Sequence, residues 1–483
     1  MRESCDVAIV GAGVTGAAIA RRLSAYKLDI TLLEKECDVS FGVSKANSGI
    51  IHGGFHHPGN TLKARLEIMG NRMFDDLQSQ LHFPFRRCGI LVVALSVEEM
   101  KSVEQLFERG LDNNVIGIEL CSRERMRFLE PKMNPDVVGG LHAPGGGIIE
   151  PYRFVFSLVE SAKRNGVALI TDFEVDRVEK RNRYHLYCGA DCVKARWVIN
   201  AAGLYADRIS RLCGGEDFTI IPRKGEEFLM DRNAAAYPGK VIFPVPTELS
   251  KGVLVIPTVE GTTMIGPTAA DVHDKKDNLT TQENFERVFY SARRLIPEVS
   301  ERDIITSFAG LRPTLPGDDF FIESSKLTPR LVQVAGIQSP GLTAAPAIAE
   351  YVKDILKKEG LSLEEKPEFD PFIEELPRLR EKSFEEVDEL IDQNRDYGEI
   401  VCRCETVSRA EIIEAIKRGH TTLDGIKFYT RAQMGRCQGG FCTFKILKII
   451  EEEAGIPITQ ITKRGDGSYI LDRSINSSLL EKK

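Results

Sequence analysis

The chain has 483 residues, with 42% hydrophobic and 28% charged, an ordinary globular composition long enough for about three domains. Lys+Arg 64 against Asp+Glu 71 leaves a formal charge of −7, and the basic runs are short, which excludes the positive stripe that a nucleic-acid partner needs. No stretch approaches the roughly 20 uninterrupted apolar residues of a membrane span, and the opening residues enter an apolar run with no signal-peptide layout, so the expected location is cytoplasmic. Seven of the eleven cysteines (Cys5, Cys37, Cys88, Cys121, Cys188, Cys192 and Cys213) are scattered without the spacing of a disulfide framework, as reduced thiols are.

In chain order, Asp6-Val-Ala-Ile-Val10 predicts a strand, Gly11-Ala-Gly13-Val-Thr-Gly16 a tight turn, and the alanine-rich stretch from Ala17 to Leu23 a helix. Gly11 permits the turn, Gly13 lets backbone approach a pyrophosphate, and Gly16 allows close helix packing. A second apolar strand, Ile30 to Leu33, ends in Glu34, where an acid accepts hydrogen bonds from a ribose. These residues leave FAD and NAD both open. Next comes a loop of small and polar residues from Gly42 to Pro58 that includes Ser44, Asn47, Ser48, Gly49, His52, His56 and His57, suited to lying against a flat ring. Two further strands end in small-residue turns, at Asn200-Ala-Ala-Gly203 and at Gly336-Ile-Gln-Ser-Pro-Gly341-Leu-Thr343, the second before a helix from Ala344 to Leu356. One extended cofactor touched by several strand ends explains all of these blocks.

In order and spacing, the four blocks resemble the glycine-oxidase and D-amino-acid-oxidase superfamily of FAD enzymes over about residues 5 to 355. Asn47-Ser-Gly-Ile-Ile-His52 with Thr61-Leu-Lys-Ala64 also resembles L-2-hydroxyglutarate dehydrogenases. The resemblance implies FAD as cofactor. Its expected contacts are Gly11, Gly13, Gly16, Glu34, Lys35, Ser44, Asn47, Ser48, Gly49, Val175, Ala202, Gly203, Gly310, Gly336, Gly341, Leu342 and Thr343. The expected fold class is α/β. A Rossmann-like FAD-binding domain (1–83 with 146–216 and 306–356) interleaves with a mixed-sheet substrate domain (84–145 with 217–305), whose alternating runs and Pro/Gly punctuation read as hairpins.

Phe308-Ala-Gly310-Leu-Arg312-Pro313 places an arginine on a turn entering the cleft, where a planar fork can hold a phosphate or carboxylate. The block resembles the Gly-x-Arg-Pro segment of FAD-dependent glycerol-3-phosphate dehydrogenases, in which that arginine is a substrate-phosphate ligand. The competing reading pairs Arg312 with Asp318 or Asp319. There are departures from that family. Its His-Gly-Gly block usually continues Leu-Arg-Tyr, whereas this chain has Phe55-His56-His57, and a lysine common in its last flavin loop is missing from Gly336–Thr343. Arg223 or Lys224 could compensate. The expected catalytic residues are Arg312 as anion ligand and His52 or His56 as base, against the reading of each histidine as a structural hydrogen bonder.

Residues 357–398 are rich in Glu, Lys and Pro and read as an exposed linker, with a helix starting at Ser383 through a capping box with Glu386. Cys402-x-Cys404 and Cys437-x₄-Cys442 then open two helix-like stretches. Glycines 435, 439 and 440 would bring backbone N–H groups to sulfur. Structural zinc is the alternative, although its cysteine pairs are usually spaced Cys-x₂₋₄-Cys. The block resembles the BFD-like [2Fe-2S] domain appended to the catalytic A subunit of anaerobic glycerol-3-phosphate dehydrogenases. A small, mainly helical iron–sulfur domain is expected at 399–455, followed by a tail (456–483).

The resemblance implies an FAD-dependent dehydrogenase of a small anionic substrate, sn-glycerol 3-phosphate. Electrons would pass through FAD and the cluster to further redox subunits, flavoprotein or iron–sulfur, or to a quinone-linked acceptor, with any membrane association peripheral and through such a partner. The alternatives are an L-2-hydroxyglutarate dehydrogenase and a non-catalytic electron-transfer subunit.

Overall fold

The computed structural model describes residues 4–246 and 252–472. They divide into two compact units, one running to Lys35 and over Val39–Ile373, the other comprising Glu36–Asp38 and the residues from Glu374 onward.

The first unit is mixed α/β and built on two large sheets. In the first sheet, β1 (Ser4–Val10) lies between β2 (Ile30–Leu33) and the strand Asp191–Asn200, parallel to both. Leu331–Ala335 and Ala168–Ile170 extend the parallel set on either side. Val7–Val10 of β1, β2 and Leu331–Ala335 are fully buried and apolar but for Thr31 and Gln333, as parallel strands covered on both faces must be. Helix α1 (Val14–Leu23) packs against Gly341–Lys358 and Pro151–Arg164 on one face. The carboxyl ends of these strands open one crevice, rimmed by Gly11, Glu34, the Ala201–Gly203 turn and Gly336, where ligands bind in such sheets.

The second sheet has nine strands, antiparallel except for Val241–Pro244 beside Ile90–Ala94. Its longest pairing, Ile221–Met230 against Ile304–Thr314, lies at one edge and is in register from Ile221↔Thr314 to Phe228↔Ser307. One face packs on the helix Gln282–Leu295 through Val288, Phe289 and Leu295, joined there by Phe228 and Val255. The other face carries Ile90, Val92, Phe243 and Ile256 together with Val103 and Leu106. Buried apolar side chains of this size contribute about 1.5–3 kcal/mol each. The result is a stiff platform for the side chains on the Ile221–Met230 and Ile304–Thr314 pair.

In the second unit a short antiparallel pair, Ile400–Cys402 with Val407–Ser408, precedes helices Arg409–Lys417, Leu423–Thr430 and Thr443–Ala454. The helix starting after Ser383 has the capping box expected of it, between Ser383 and Glu386. The stretch read as an exposed linker is divided between the units. Leu361 and Ile373 are buried in the first, where Lys27 N–H also donates to Glu364 O at 2.7 Å, and Leu379 is buried in the second. Among the described residues no helix is long and apolar enough to cross a membrane.

Candidate functional site

The crevice at the strand ends is shaped by glycines. Gly11 has φ +106°, and a Cβ there would lie 2.5 Å from the Ala201 carbonyl oxygen. A Cβ on Gly16 would lie 1.9 Å from Gly11 O, so α1 can start this close to β1 only through glycine. Gly13 is the N-cap of α1 and supplies no side-chain cap, which leaves amides of the first turn for a ligand. Glu34, buried at the end of β2, accepts from Ala12 N–H at 2.7 Å. Ser44 Oγ accepts from Val14 N–H at 2.8 Å and brings the following loop onto the helix start.

That loop is self-braced. Asn47 Nδ2 donates to Ser44 O at 2.7 Å, and Gly49 N–H donates to Asn47 Oδ1 at 2.9 Å. Its backbone passes so close to the second sheet that a Cβ on Gly310 would lie 2.0 Å from Ala46 O. Ser48 Oγ donates to Glu227 Oε1 at 2.6 Å. Beyond the loop, His52 N–H donates to Thr343 Oγ1 at 2.9 Å, and His52 Nε2 lies 3.2 Å from Ser339 Oγ. His56 is stacked on Phe55 at 4.2 Å and lies 5.0 Å from the Phe243 ring; His52 meets it edge-on at 5.7 Å.

Arg312 is opposite Arg223 in the strand register, and Gly225 is opposite Gly310. Its guanidinium runs over Gly225, where a Cβ would lie 2.6 Å from Nη2. Among the described residues it donates only to the Thr268 carbonyl, at 3.4 and 3.5 Å. Burial lowers its pKa from the ordinary value, partly offset by Glu227, and Arg223 adds to the lowering. The alternative pairing of Arg312 with Asp318 or Asp319 is not formed. Asp319 accepts the first amides of helix α2 (Leu62–Asn71), from Leu62 and Lys63 at 2.8 and 2.9 Å. Asp318 pairs with Lys63 Nζ at 3.2 Å and accepts from Gln338. Arg223 and Lys224 are also engaged, with Asp271 at 2.7 Å and Asp277 at 2.9 Å.

The structure thus brings Ser44, Asn47, Ser48, Gly49 and Gly310 together, and closes the crevice rim with Gly11, Gly13, Gly16, Glu34, Ala202, Gly203 and Gly336. Gly341, Leu342 and Thr343 open the helix Gly341–Lys358, with the Thr343 hydroxyl spent on His52 and Ile50. Val175 lies in the apolar cluster with Val10 and Phe173, and the exposed Lys35 holds its Nζ over the Tyr205 ring at 4.7 Å. Four neighbours escaped the sequence reading: Gly225, Glu227, Phe243 and Ser339. Glu227 carried a usable signal, since a strand alternating through Arg223, Gly225 and Glu227 puts all three on one face. Lys63, 1% exposed, stood inside the quoted Thr61–Ala64 block without being singled out.

In the second unit the sulfurs form two close pairs, each taking one cysteine from each motif: Cys402 with Cys442, and Cys404 with Cys437. The hydrogen bond from Cys442 pulls Cys402 down to about 6. Backbone amides converge on them. Those of Glu405 and Gln433 point at Cys402, and those of Gly439, Gly440 and Phe441 at Cys437. Aiming amides inward requires unusual backbone: Thr406, Arg431, Gln433 and Gln438 are all left-handed, with φ from 47° to 75°. Buried Glu405 ties the two loops, 2.9 Å from Arg431 Nε and 3.1 Å from Arg380 Nη1. Among the described residues no group of three or more His, Cys, Asp or Glu forms a ready metal site. Two thiolate pairs under inward amides suit a cluster of two irons better than one tetrahedral zinc.

Residues 6–355 match the family model "FAD dependent oxidoreductase", and residues 400–452 match "BFD-like [2Fe-2S] binding domain". A glycerol 3-phosphate dehydrogenase of Caloramator mitchellensis is 43% identical over 96% of this chain and 98% of its own length. The solved structure of a dithionite-reduced L-α-glycerophosphate oxidase from Mycoplasma pneumoniae with FAD bound superposes with a TM-score of 0.74 at 33% identity, over 78% of this chain and 99% of that one. A mitochondrial L-2-hydroxyglutarate dehydrogenase of Homo sapiens is 28% identical over 73% of this chain and 88% of its own. Both groups fit the residues present. The glycine crevice, with no side chain on the N-cap Gly13 and a buried Glu34, suits the dinucleotide, and the amide-lined sulfur pairs suit the cluster.

Proposed function

Because the chain belongs to the FAD dependent oxidoreductase family and carries a BFD-like [2Fe-2S] binding domain, we propose that it oxidises sn-glycerol 3-phosphate to dihydroxyacetone phosphate. Its cofactors are FAD and a [2Fe-2S] cluster. When bound, FAD supplies the hydride acceptor and the cluster a one-electron carrier toward a protein or quinone-linked acceptor.

The observation that carries the reading is the Arg312 guanidinium. It lies along a stiff sheet face over the missing side chain at Gly225 and, among the described residues, makes only long contacts to one carbonyl. A charged fork with spare donors in a half-buried cleft is an anion subsite. The strand that bears it approaches the Ser44–Gly53 loop at Ala46, and its paired strand Ile221–Met230 is tied to the same loop by Ser48, so anion ligand and base are delivered by segments fixed to each other. Arg312 holds the phosphate. His52 takes the hydroxyl proton at Nε2, the nitrogen beside Ser339. His56, packed between Phe55 and Phe243, shapes the apolar wall. Lys63 stays with Asp318 and Asp319, its pKa lowered by burial, and braces the loop that carries Gln338. Ser44, Asn47, Ser48 and Gly49 would lie on the flavin side, while the glycine turns and Glu34 would hold the adenosine diphosphate.

The test is anaerobic titration of the iron-reconstituted protein, following flavin absorbance. Bleaching by glycerol 3-phosphate and not by L-2-hydroxyglutarate is the expected result. Bleaching by the hydroxy acid alone would make Arg312 a carboxylate ligand, and silence toward both would favour an electron-transfer subunit.

A further inference from the structure

Glu227 is 3% exposed, and among the described residues its carboxylate makes no salt bridge. It shares one face of the Ile221–Met230 and Ile304–Thr314 pair with Arg223, Gly225, Gly310 and Arg312, because directly opposed residues of an antiparallel pair point the same way. Its Oε1 accepts from Ser48 at 2.6 Å, and its Oε2 is buried with no hydrogen-bond partner among the described residues. The open lane over Gly225 leaves the Arg312 guanidinium as the charge facing it. The charged neighbours on its own strand are engaged elsewhere. Arg223 is held by Asp271, Lys224 by Asp277, and Glu226 by Thr281 and Asn284.

An ionised carboxylate here would repel any anion that Arg312 holds, and at this burial water would screen little of the repulsion. We propose that Glu227 is a positioning residue for the substrate anion: it must be neutral when the anion sits on Arg312, so that anion binding draws one proton from solvent onto Glu227. The inference rests on Arg312 being the anion ligand. Burial already pushes the Glu227 carboxyl up to about 7, with the Ser48 hydrogen bond and the Arg312 charge acting against it. The free protein therefore holds a proton there below about 7 and has lost it above, and a bound anion raises the value further. Proton uptake on binding is absent at low pH and appears as pH rises past about 7.

The probe is sulfate, whose own charge is constant over this range, added to the oxidised holoprotein in a calorimeter with buffers of different ionisation enthalpy. Uptake should be near zero at about pH 6 and approach one proton at about pH 8, with sulfate affinity falling up to about tenfold per pH unit in between. Sulfate should also compete with glycerol 3-phosphate. E227Q should abolish the uptake and flatten the pH dependence of KM while the pH dependence of kcat, which follows the base, keeps its shape. S48A, which removes a hydrogen bond to the charged form, should move the onset of uptake to higher pH. Absence of uptake at about pH 8, or failure of sulfate to compete at about pH 6, would overturn the proposal. Flavin bleached by glycerol 3-phosphate without proton uptake would sink the role of Glu227 and leave the substrate assignment standing; uptake without bleaching would do the reverse.

Discussion

Gly225→Ala isolates the anion subsite from everything around it. The added methyl would lie 2.6 Å from Nη2 and 3.0 Å from Cζ of Arg312, and 3.0 Å from Pro267 Cβ. Two of these three atoms belong to the far end of a flexible side chain, so the guanidinium moves rather than the backbone. Folding then changes little, and the thermal midpoint should shift by no more than about 4 °C. Substrate binding loses a charge-assisted interaction of about 1.5–3 kcal/mol, which at about 1.4 kcal/mol per decade raises KM for glycerol 3-phosphate about 10- to 100-fold. Gly310→Ala is the contrast, because its methyl would meet Ala46 O at 2.0 Å and Ala46 C at 3.1 Å, both backbone. The Ser44–Gly53 loop would have to move, and loss of FAD should dominate. The assay measures the flavin-to-protein ratio, the melting temperature and the KM of flavin reduction for both variants. A Gly225→Ala protein with KM within about twofold of wild type, or one that loses FAD as Gly310→Ala does, would refute the placement of Arg312.

His52→Gln should slow substrate-driven flavin reduction by about 10²- to 10⁴-fold while FAD stays bound, and stopped-flow absorbance would show a much smaller effect for His56→Gln. Replacing Cys402 and Cys437 by serine removes one sulfur from each pair; iron content and the visible spectrum of the cluster should disappear while bleaching of flavin by substrate persists. Glu405→Gln leaves the charges of Arg380 and Arg431 facing each other in a buried site, at a cost of about 3–5 kcal/mol. Calorimetry should show a transition of the second unit moved to lower temperature, with iron lost on heating before FAD.

The elements around the cofactors were legible because their signals are local. Strand Ile30–Leu33 ends where its apolar run ends, the helix after Ser383 starts at its capping box, and Thr443–Ala454 follows the last cysteine directly. The pocket residues were less so. Arg312 was readable from a motif, but Gly225 and Glu227 are 87 and 85 positions away and meet it only through strand register. Ser339 and Phe243 reach His52 by a loop and a strand with no local mark. The linker misled for a related reason: its Glu, Lys and Pro content reads as solvated chain, whereas Leu361, Ile373 and Leu379 each find a surface to bury against.

What the sequence determined by itself is the pair of redox chemistries. A glycine turn between strand and helix and four cysteines in tight motifs act over a few residues, and their backbone demands can be written in consecutive letters. What only the tertiary structure decided is which charges are spent and which are kept. Asp318 and Asp319 take Lys63 and the start of α2, Asp271 takes Arg223, and Asp277 takes Lys224, leaving Arg312 with long contacts to Thr268 O and with Glu227 nearby among the described residues. Ion pairing depends on distance in space, and strands more than eighty residues apart in sequence set that distance through the packing of a whole sheet.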